Sequence, residues 1–342
     1  MSVFGKAVIL AKGLLGTPCF LVDWGGRTRL VSGATARGLR YSSAKWAPAY
    51  RWSAQVVREV TAVWAALRSP ERLPGGLEVN GWPPDSLRHL RALDAIVGTP
   101  GPNQSVLVRF VESGSGRPRA IAKVMVSRDS HASARIAAES SAIQDPMLNG
   151  RVPRHLETGV INGHHYLVSE FVTGRSITSG HRGTRAARDT LAFQTNSTDC
   201  VAIKEHPWVQ RALGQIPWLR QDRLIGRFAI TRTHGDLAPW NILVRPTQGL
   251  TMIDWEFSES DGVAGVDLAH YVLVRQHLLK RRDALSATRI GAVELQHVGG
   301  YAAADARTLM ALAAASVLLR EPKSTRAYTG SFWQRVIEHC QG

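Results

Sequence analysis

Between Arg51 and Arg68 the apolar residues Trp52, Val56, Val60, Val63, Trp64 and Leu67 recur at the spacing of one helix face, and Ser69-Pro70 ends the run. The pattern predicts a helix. Pro74 to Pro84 follows, with Gly75-Gly76 and Trp82-Pro83-Pro84, and reads as a connection closing an N-terminal extension, residues 1–84. From Ala95 the texture changes to strands. Ser105 to Glu112 (SVLVRFVE) and Arg119 to Val126 (RAIAKVMV) flank the turn Ser113 to Pro118, a predicted hairpin. A helix over 130–143 follows, with Ser130 as its cap, Ala134, Ile136, Ala137 and Ile143 as its apolar side and Glu139 in its middle. His155 to Ile161 and His164 to Val172 then flank Asn162-Gly163, the dipeptide that best tolerates the two positive φ angles of a type I′ turn.

Beyond Gly174 the pattern is mostly helical, broken by a strand-loop-strand region at 228–256. The Ala-rich run Leu309 to Leu319, closed by Arg320, is too short to span a bilayer and predicts a buried helix. Val3 to Val22 is apolar, but Gly5, Lys6, Lys12, Gly13, Gly16 and Pro18 interrupt it, so neither a transmembrane segment nor a signal-peptide core is expected.

Composition narrows the class. With 342 residues, 44% of them hydrophobic, the chain has room for two domains or one two-lobed domain. Cys19, Cys200 and Cys340 are odd in number and far apart, which excludes a disulfide framework and a CxxC zinc knuckle and makes the cytoplasm the expected compartment. The net charge of +15 is spread: residues 1–97 carry 13 basic and 6 acidic side chains, and residues 176–342 carry 20 and 15. No basic run is interleaved with aromatics, so a solvated basic surface is expected rather than a nucleic-acid partner.

The chain holds no GxxxxGK[ST], HExxH or GxSxG pattern. It does hold one dense constellation, His234-Gly235-Asp236-Leu237-Ala238-Pro239-Trp240-Asn241-Ile242-Leu243-Val244 followed by Met252-Ile253-Asp254-Trp255-Glu256. Phosphoryl transfer from ATP needs a carboxylate that orients the attacking hydroxyl and oxygen ligands that hold Mg2+ against the phosphates. Asp236 and Asn241 share one short loop, and Asp254 returns to it after a second apolar stretch, as a hairpin would bring it. Two carboxylates and an amide suit a hard cation, magnesium rather than zinc.

The strings HGDLAPWNIL and IDWEFS resemble the catalytic and metal-binding loops of the aminoglycoside phosphotransferase and choline kinase group, which has a protein-kinase-like fold. That resemblance implies Asp236 as catalytic base, Asn241 and Asp254 as Mg2+ ligands, His234 as a structural member of the loop, and Asp267 as a brace from the following helix. It implies an α+β, two-lobed fold with a small β-rich lobe at 85–173, a mainly helical lobe at 174–342, and ATP with Mg2+ in the cleft between them. Upstream, the loop holding Gly98, Gly101 and Ser105 is the candidate phosphate cover. Lys123, in an otherwise apolar strand, must reach solvent or pair with an anion, and ATP phosphates and Glu139 are the expected partners. Tyr166 to Arg175, with Glu170 and Val172, resembles the family hinge that meets adenine.

Where the group often has a glycine before the loop asparagine, this chain has Trp240, which implies a different acceptor-pocket wall. The basic excess in the larger lobe disfavours a polycationic acceptor, so a neutral or anionic one, a sugar or glycan intermediate, is expected. A catalytically silent nucleotide- or partner-binding module and a basic nucleic-acid or membrane-surface binder are the alternatives. The oligomeric state is not legible.

Overall fold

The computed structural model describes residues 3–16, 19–24, 27–32, 79–98, 101, 103–177, 181–196, 199–245, 249–320 and 326–342. The helix predicted over 51–68 lies outside the described residues, as do Thr99, Pro100 and Pro102 of the glycine loop. The chain forms two compact units, residues 1–144 with 153–172, and residues 145–152 with 173–342. The expected α+β class, β-rich first and mainly helical after, is borne out.

The first unit is built on one antiparallel sheet. In chain order its strands are β1 (Cys19–Trp24), β2 (Arg27–Ser32), β3 (Leu90–Val97), β4 (Ser105–Glu112), β5 (Pro118–Met125), β6 (His155–Ile161) and β7 (His164–Glu170), and they lie side by side as β1-β2-β3-β4-β5-β7-β6. Both predicted hairpins form, and Asn162 and Gly163 take φ 48° and 79°, the two positive values the turn requires.

Side chains alternate across this sheet, so its two faces do different work. Val106, Val108 and Phe110 of β4, Ala120, Ala122 and Val124 of β5, and Val168 of β7 form one apolar face. Helix α1 (Val3–Leu15) covers that face with Ala7, Leu10, Ala11, Leu14 and Leu15, and Trp82 ties it down by donating its indole N–H to the Leu14 carbonyl at 2.7 Å. The described part of the expected N-terminal extension thus belongs to the first unit, as a helical cover and two added strands.

The opposite face carries charge. Asp94 of β3 and Arg109 of β4 form a buried two-pronged pair at 3.2 and 2.6 Å, with Arg109 5.7 Å from the centroid of the Phe171 ring. Helix α2 (Ser130–Ile143) packs against β6 and β7. Its cap is Asp129, whose carboxylate accepts from Ala132 N–H at 2.9 Å; Ser130, the expected cap, is already the first helical residue.

In the second unit β8 (Arg175–Ser176), β11 (Ile242–Arg245) and β12 (Gly249–Met252) form one small sheet, ordered β12-β11-β8. A second sheet holds β9 (Cys200–Ala202), β10 (Arg227–Thr233) and β13 (Glu259–Val263), ordered β13-β10-β9. The helices are α3 (His181–Thr190), α4 (Pro207–Gln215), α5 (Val266–Val274), α6 (Ala284–His297), α7 (Ala303–Arg320) and α8 (Arg326–Gln341). Every residue of α5 is buried, and the small side chains of α7 pack against it. The predicted buried helix at 309–319 is the body of α7.

Residues 145–152 sit in this unit because they are bonded to it. Asp145 pairs with Arg232 of β10 at 2.6 Å, and the Arg151 carbonyl accepts from Met252 N–H at 2.7 Å.

The buried pair at Asp94 and Arg109 makes the first unit sensitive to half-removal. Asp94→Ala leaves a guanidinium desolvated and is expected to cost about 3–5 kcal/mol, whereas Asp94→Leu with Arg109→Met recovers most of it. Urea unfolding followed by circular dichroism measures both; a single variant as stable as the parent would contradict the pairing.

Candidate active site

In the second unit the constellation folds around a buried carboxylate. Asp267, in the first turn of α5, accepts from His234 N–H at 2.8 Å, Gly235 N–H at 2.9 Å and the Gln194 side-chain amide at 2.9 Å. Its charge also lies at a helix N-terminus, where the dipole favours it. Between the two clamped amides and Asp236 the chain turns through Gly235 at φ 80°, and a Cβ there would collide with the Phe257 carbonyl.

His234 is held from its ring. Its Nδ1 accepts from Asp236 N–H at 3.3 Å, so Nε2 carries the hydrogen and donates to the Ile253 carbonyl at 2.9 Å. Fully buried Trp255 packs beside it, ring centroids 4.6 Å apart. One imidazole thus links the loop start to the residue before Asp254.

Asp236 is half-exposed, while Asn241 is buried. The Asn241 amide nitrogen donates to the Asp236 backbone carbonyl at 2.9 Å, which turns its Oδ1 the other way, as the oxygen a cation would use. The β11–β12 register pairs Ile242 with Met252, and Ile253 N–H donates to the Asn241 carbonyl at 2.9 Å, which sets Asp254 one residue further on. Asp254 takes φ 67°, a left-handed conformation that aspartate tolerates better than most side chains. Oxygen donors at Asn241 and Asp254, without sulfur or imidazole, fit a hard divalent cation.

Two groups that sequence reasoning did not assign flank Asp236. His270 of α5 lies 3.6 Å from its Oδ1, and Arg320, the last residue of α7, lies 3.7 Å from the same atom. Burial drives the His270 pKa down to about 3, with Arg320 adding to the effect, so the imidazole is neutral and forms no ion pair. Its Nδ1–H donates to the Leu237 carbonyl at 3.0 Å, and its ring stacks on Trp333 at 6.0 Å between centroids. His270 stood in the sequence among other histidines without spacing, and nothing local singled out Arg320.

In the first unit Lys123 is neither exposed nor on an edge. Ala122 and Val124 belong to the apolar face under α1, so Lys123 points from the other face. There its ammonium meets Glu139 of α2 at 2.9 Å, both side chains buried. The loop between β3 and β4 is closed by Gly98 N–H donating to the Ser105 carbonyl at 2.8 Å, and Gln104 N–H donates to the Gly101 carbonyl at 3.1 Å. A Cβ on Gly98 would sit 2.9 Å from the Ser105 carbonyl oxygen. Glu170 N–H donates to the Arg154 carbonyl and Phe171 N–H to the Arg119 carbonyl, each at 2.9 Å; Val172, next along, is the last residue of the first unit.

Residues 180–305 match the phosphotransferase enzyme family. The span includes His234, Asp236, Asn241, Asp254 and Asp267, so over these residues the resemblance carried by HGDLAPWNIL and IDWEFS is borne out, and with it the expected enzyme class, a phosphotransferase. No curated protein sequence gives a significant match. Among solved structures, the GDP complex of a wild-type aminoglycoside 2'-phosphotransferase of type IIIa is 15% identical, covering 76% of this chain and 93% of that one, with a TM-score of 0.40. A Plasmodium vivax ethanolamine kinase is 9% identical over 75% of this chain and 83% of that one, with a TM-score of 0.48. An aminoglycoside-3'-phosphotransferase of type VIII is 17% identical over 74% and 94%, with a TM-score of 0.36. Among the described residues no helix is long and apolar enough to cross a membrane.

The buried neutral His270 ties stability to pH. Below about pH 6.5 the unfolded chain protonates this residue and the folded chain does not, so its contribution to stability falls as pH drops from there towards 3, by up to about 1.4 kcal/mol per pH unit. His270→Gln keeps a donor for the Leu237 carbonyl without the titration. Its unfolding free energy, measured in urea from pH 7 to 4.5, is expected to fall less steeply than the parent's; equal slopes would contradict the assignment.

Proposed function

Starting from a chain whose residues 180–305 match a phosphotransferase family, we propose an ATP- and Mg2+-dependent kinase that phosphorylates a hydroxyl of a small molecule, a sugar or glycan intermediate. The observation that carries this reading is the clamp of Asp267 on the His234 and Gly235 amides, which presents Asp236, Asn241 and Asp254 from one braced loop and its hairpin. A loop held this tightly suits a reaction whose catalysis is mostly positioning and charge.

In this reading Asp236 accepts a hydrogen bond from the acceptor hydroxyl, orients it for in-line attack and takes its proton as the new phosphate ester forms. Its partial exposure keeps it open to a substrate. Asn241 Oδ1 and the Asp254 carboxylate hold the Mg2+, which when bound offsets charge on the transferring phosphoryl group and the leaving ADP. Lys123 grips ATP phosphates, and Glu139 keeps its ammonium in place rather than folded towards solvent. Gly98 closes the phosphate-cover loop, leaving the turn around Gly101 and Ser105 to approach the phosphates. The Glu170 and Phe171 amides being committed to the sheet, Val172 supplies the adenine-edge N–H beside Glu170.

Two measurements test the assignment. Asp236→Ala is expected to lose about 10²-fold or more in kcat while retaining MgATP-dependent thermal stabilisation; near-parental turnover would remove Asp236 from the role. Asp254→Ala is expected to weaken stabilisation by MgATP but not by metal-free ATP, whereas Lys123→Ala weakens both. Parental shifts in both variants would overturn the nucleotide site.

A further inference from the structure

Where α5 hands over to α6 the chain makes a wide helical turn, Arg275–Leu279, and then a short link, Lys280 to Asp283. Arg275 and Gln276 are buried, but Leu278 is exposed, and Lys280, Arg281 and Arg282 stand exposed in a row, Arg281 at φ 54°. Asp283 is already used. Its carboxylate caps α6, accepting from Ser286 N–H at 2.8 Å and from the Ser286 hydroxyl at 3.3 Å. α6 then packs against α5, α7 and α8 and leaves an outward stripe of Leu285, Arg289 and Val293, each four residues from the last. Leu278, Leu285 and Val293 are 44%, 40% and 49% exposed, so apolar tips stand on both sides of a basic turn.

The positive sign survives a count of the neighbouring charges. Across residues 278–293 the exposed cations are Lys280, Arg281, Arg282 and Arg289, against one exposed acid, Asp283. Glu294 is buried and paired with Arg275. At the far end of α6, Arg188 of α3 donates to the Val298 carbonyl at 3.3 Å and pairs with Asp189, which adds no net charge. On α8 exposed Arg335 and Glu338 offset each other, and α7 exposes Arg307 while its Asp305 lies against Gly226.

Such a surface disfavours two kinds of occupant. A second copy docked on it about a two-fold axis would set like charges against each other. Residues 278–293 hold no aromatic ring to stack on a base, and the apolar tips gain nothing from a phosphate backbone. An anionic bilayer suits both halves of the patch, since its headgroups meet the cations while the leucine tips enter the acyl boundary.

We propose that the turn between α5 and α6, with the outer stripe of α6, is a docking surface for an anionic lipid bilayer. It holds the chain at the membrane surface peripherally, and it does not depend on the phosphotransferase reading.

The test is flotation of the full chain with vesicles of phosphatidylcholine, either alone or with about one-fifth phosphatidylserine. The parent is expected to bind the mixed vesicles about tenfold or more tightly than the neutral ones. Lys280→Gln, Arg281→Gln and Arg282→Gln together should weaken mixed-vesicle binding about tenfold or more. Arg117→Gln, Lys204→Gln and Arg223→Gln together remove the same formal charge from exposed positions elsewhere and should leave binding near the parent's. Leu278→Gln with Leu285→Gln should weaken mixed-vesicle binding about threefold or more, with retention on heparin unchanged. Equal binding to both vesicles, no binding to either, or an equal loss in the two charge triples overturns the proposal. So does a leucine pair that binds mixed vesicles as the parent does, which would assign the cations to a nucleic acid or an acidic protein instead.

Discussion

A single buried carboxylate organises the loop on which the proposed chemistry depends. Asp267 receives three N–H groups, two of them consecutive backbone amides at His234 and Gly235, and without it those amides would be buried and unmet. Because the acceptor of those bonds sits on α5, which is buried along its whole length, the loop inherits the rigidity of the helical core. His234 then extends the same constraint sideways to Ile253, so Asp254 is positioned by the brace that positions Asp236.

The first unit solves a different problem with the same economy. A sheet strand that must show a lysine on one side needs apolar cover on the other, and β5 alternates Ala120, Ala122 and Val124 against Lys123 to achieve it. Helix α1 supplies that cover. Its alanines at 7 and 11 let it lie close to the sheet, which frees the opposite face for the buried pairs Lys123–Glu139 and Asp94–Arg109. Placing charge in a strand interior is costly unless it is paired, and both cations here have their carboxylates.

Charge around Asp236 is mixed by construction. A neutral imidazole lies on one side of the carboxylate and a guanidinium on the other, and the Asp267 carboxylate is held beneath the same loop. The overall excess of basic residues in the sequence said nothing about which cation stands where.

Local chemistry carried much of this protein without tertiary information. Strands read at 105–112 and 119–126, the second observed at 118–125, the Asn162-Gly163 turn, the helix at 130–143 and the ordered set Asp236, Asn241 and Asp254 were legible because each depends on neighbours within a few residues. Lys123 opposite Glu139 was half legible: strand alternation gave it a face, but only helix packing decided that the glutamate meets it. His270 and Arg320 were not legible at all, since a histidine inside an apolar helix and an arginine closing an Ala-rich one look like any core or cap residue. They reach Asp236 through the packing of α5 and α7, a long-range contact whose partners are set by how two helices lie together rather than by any spacing along the chain.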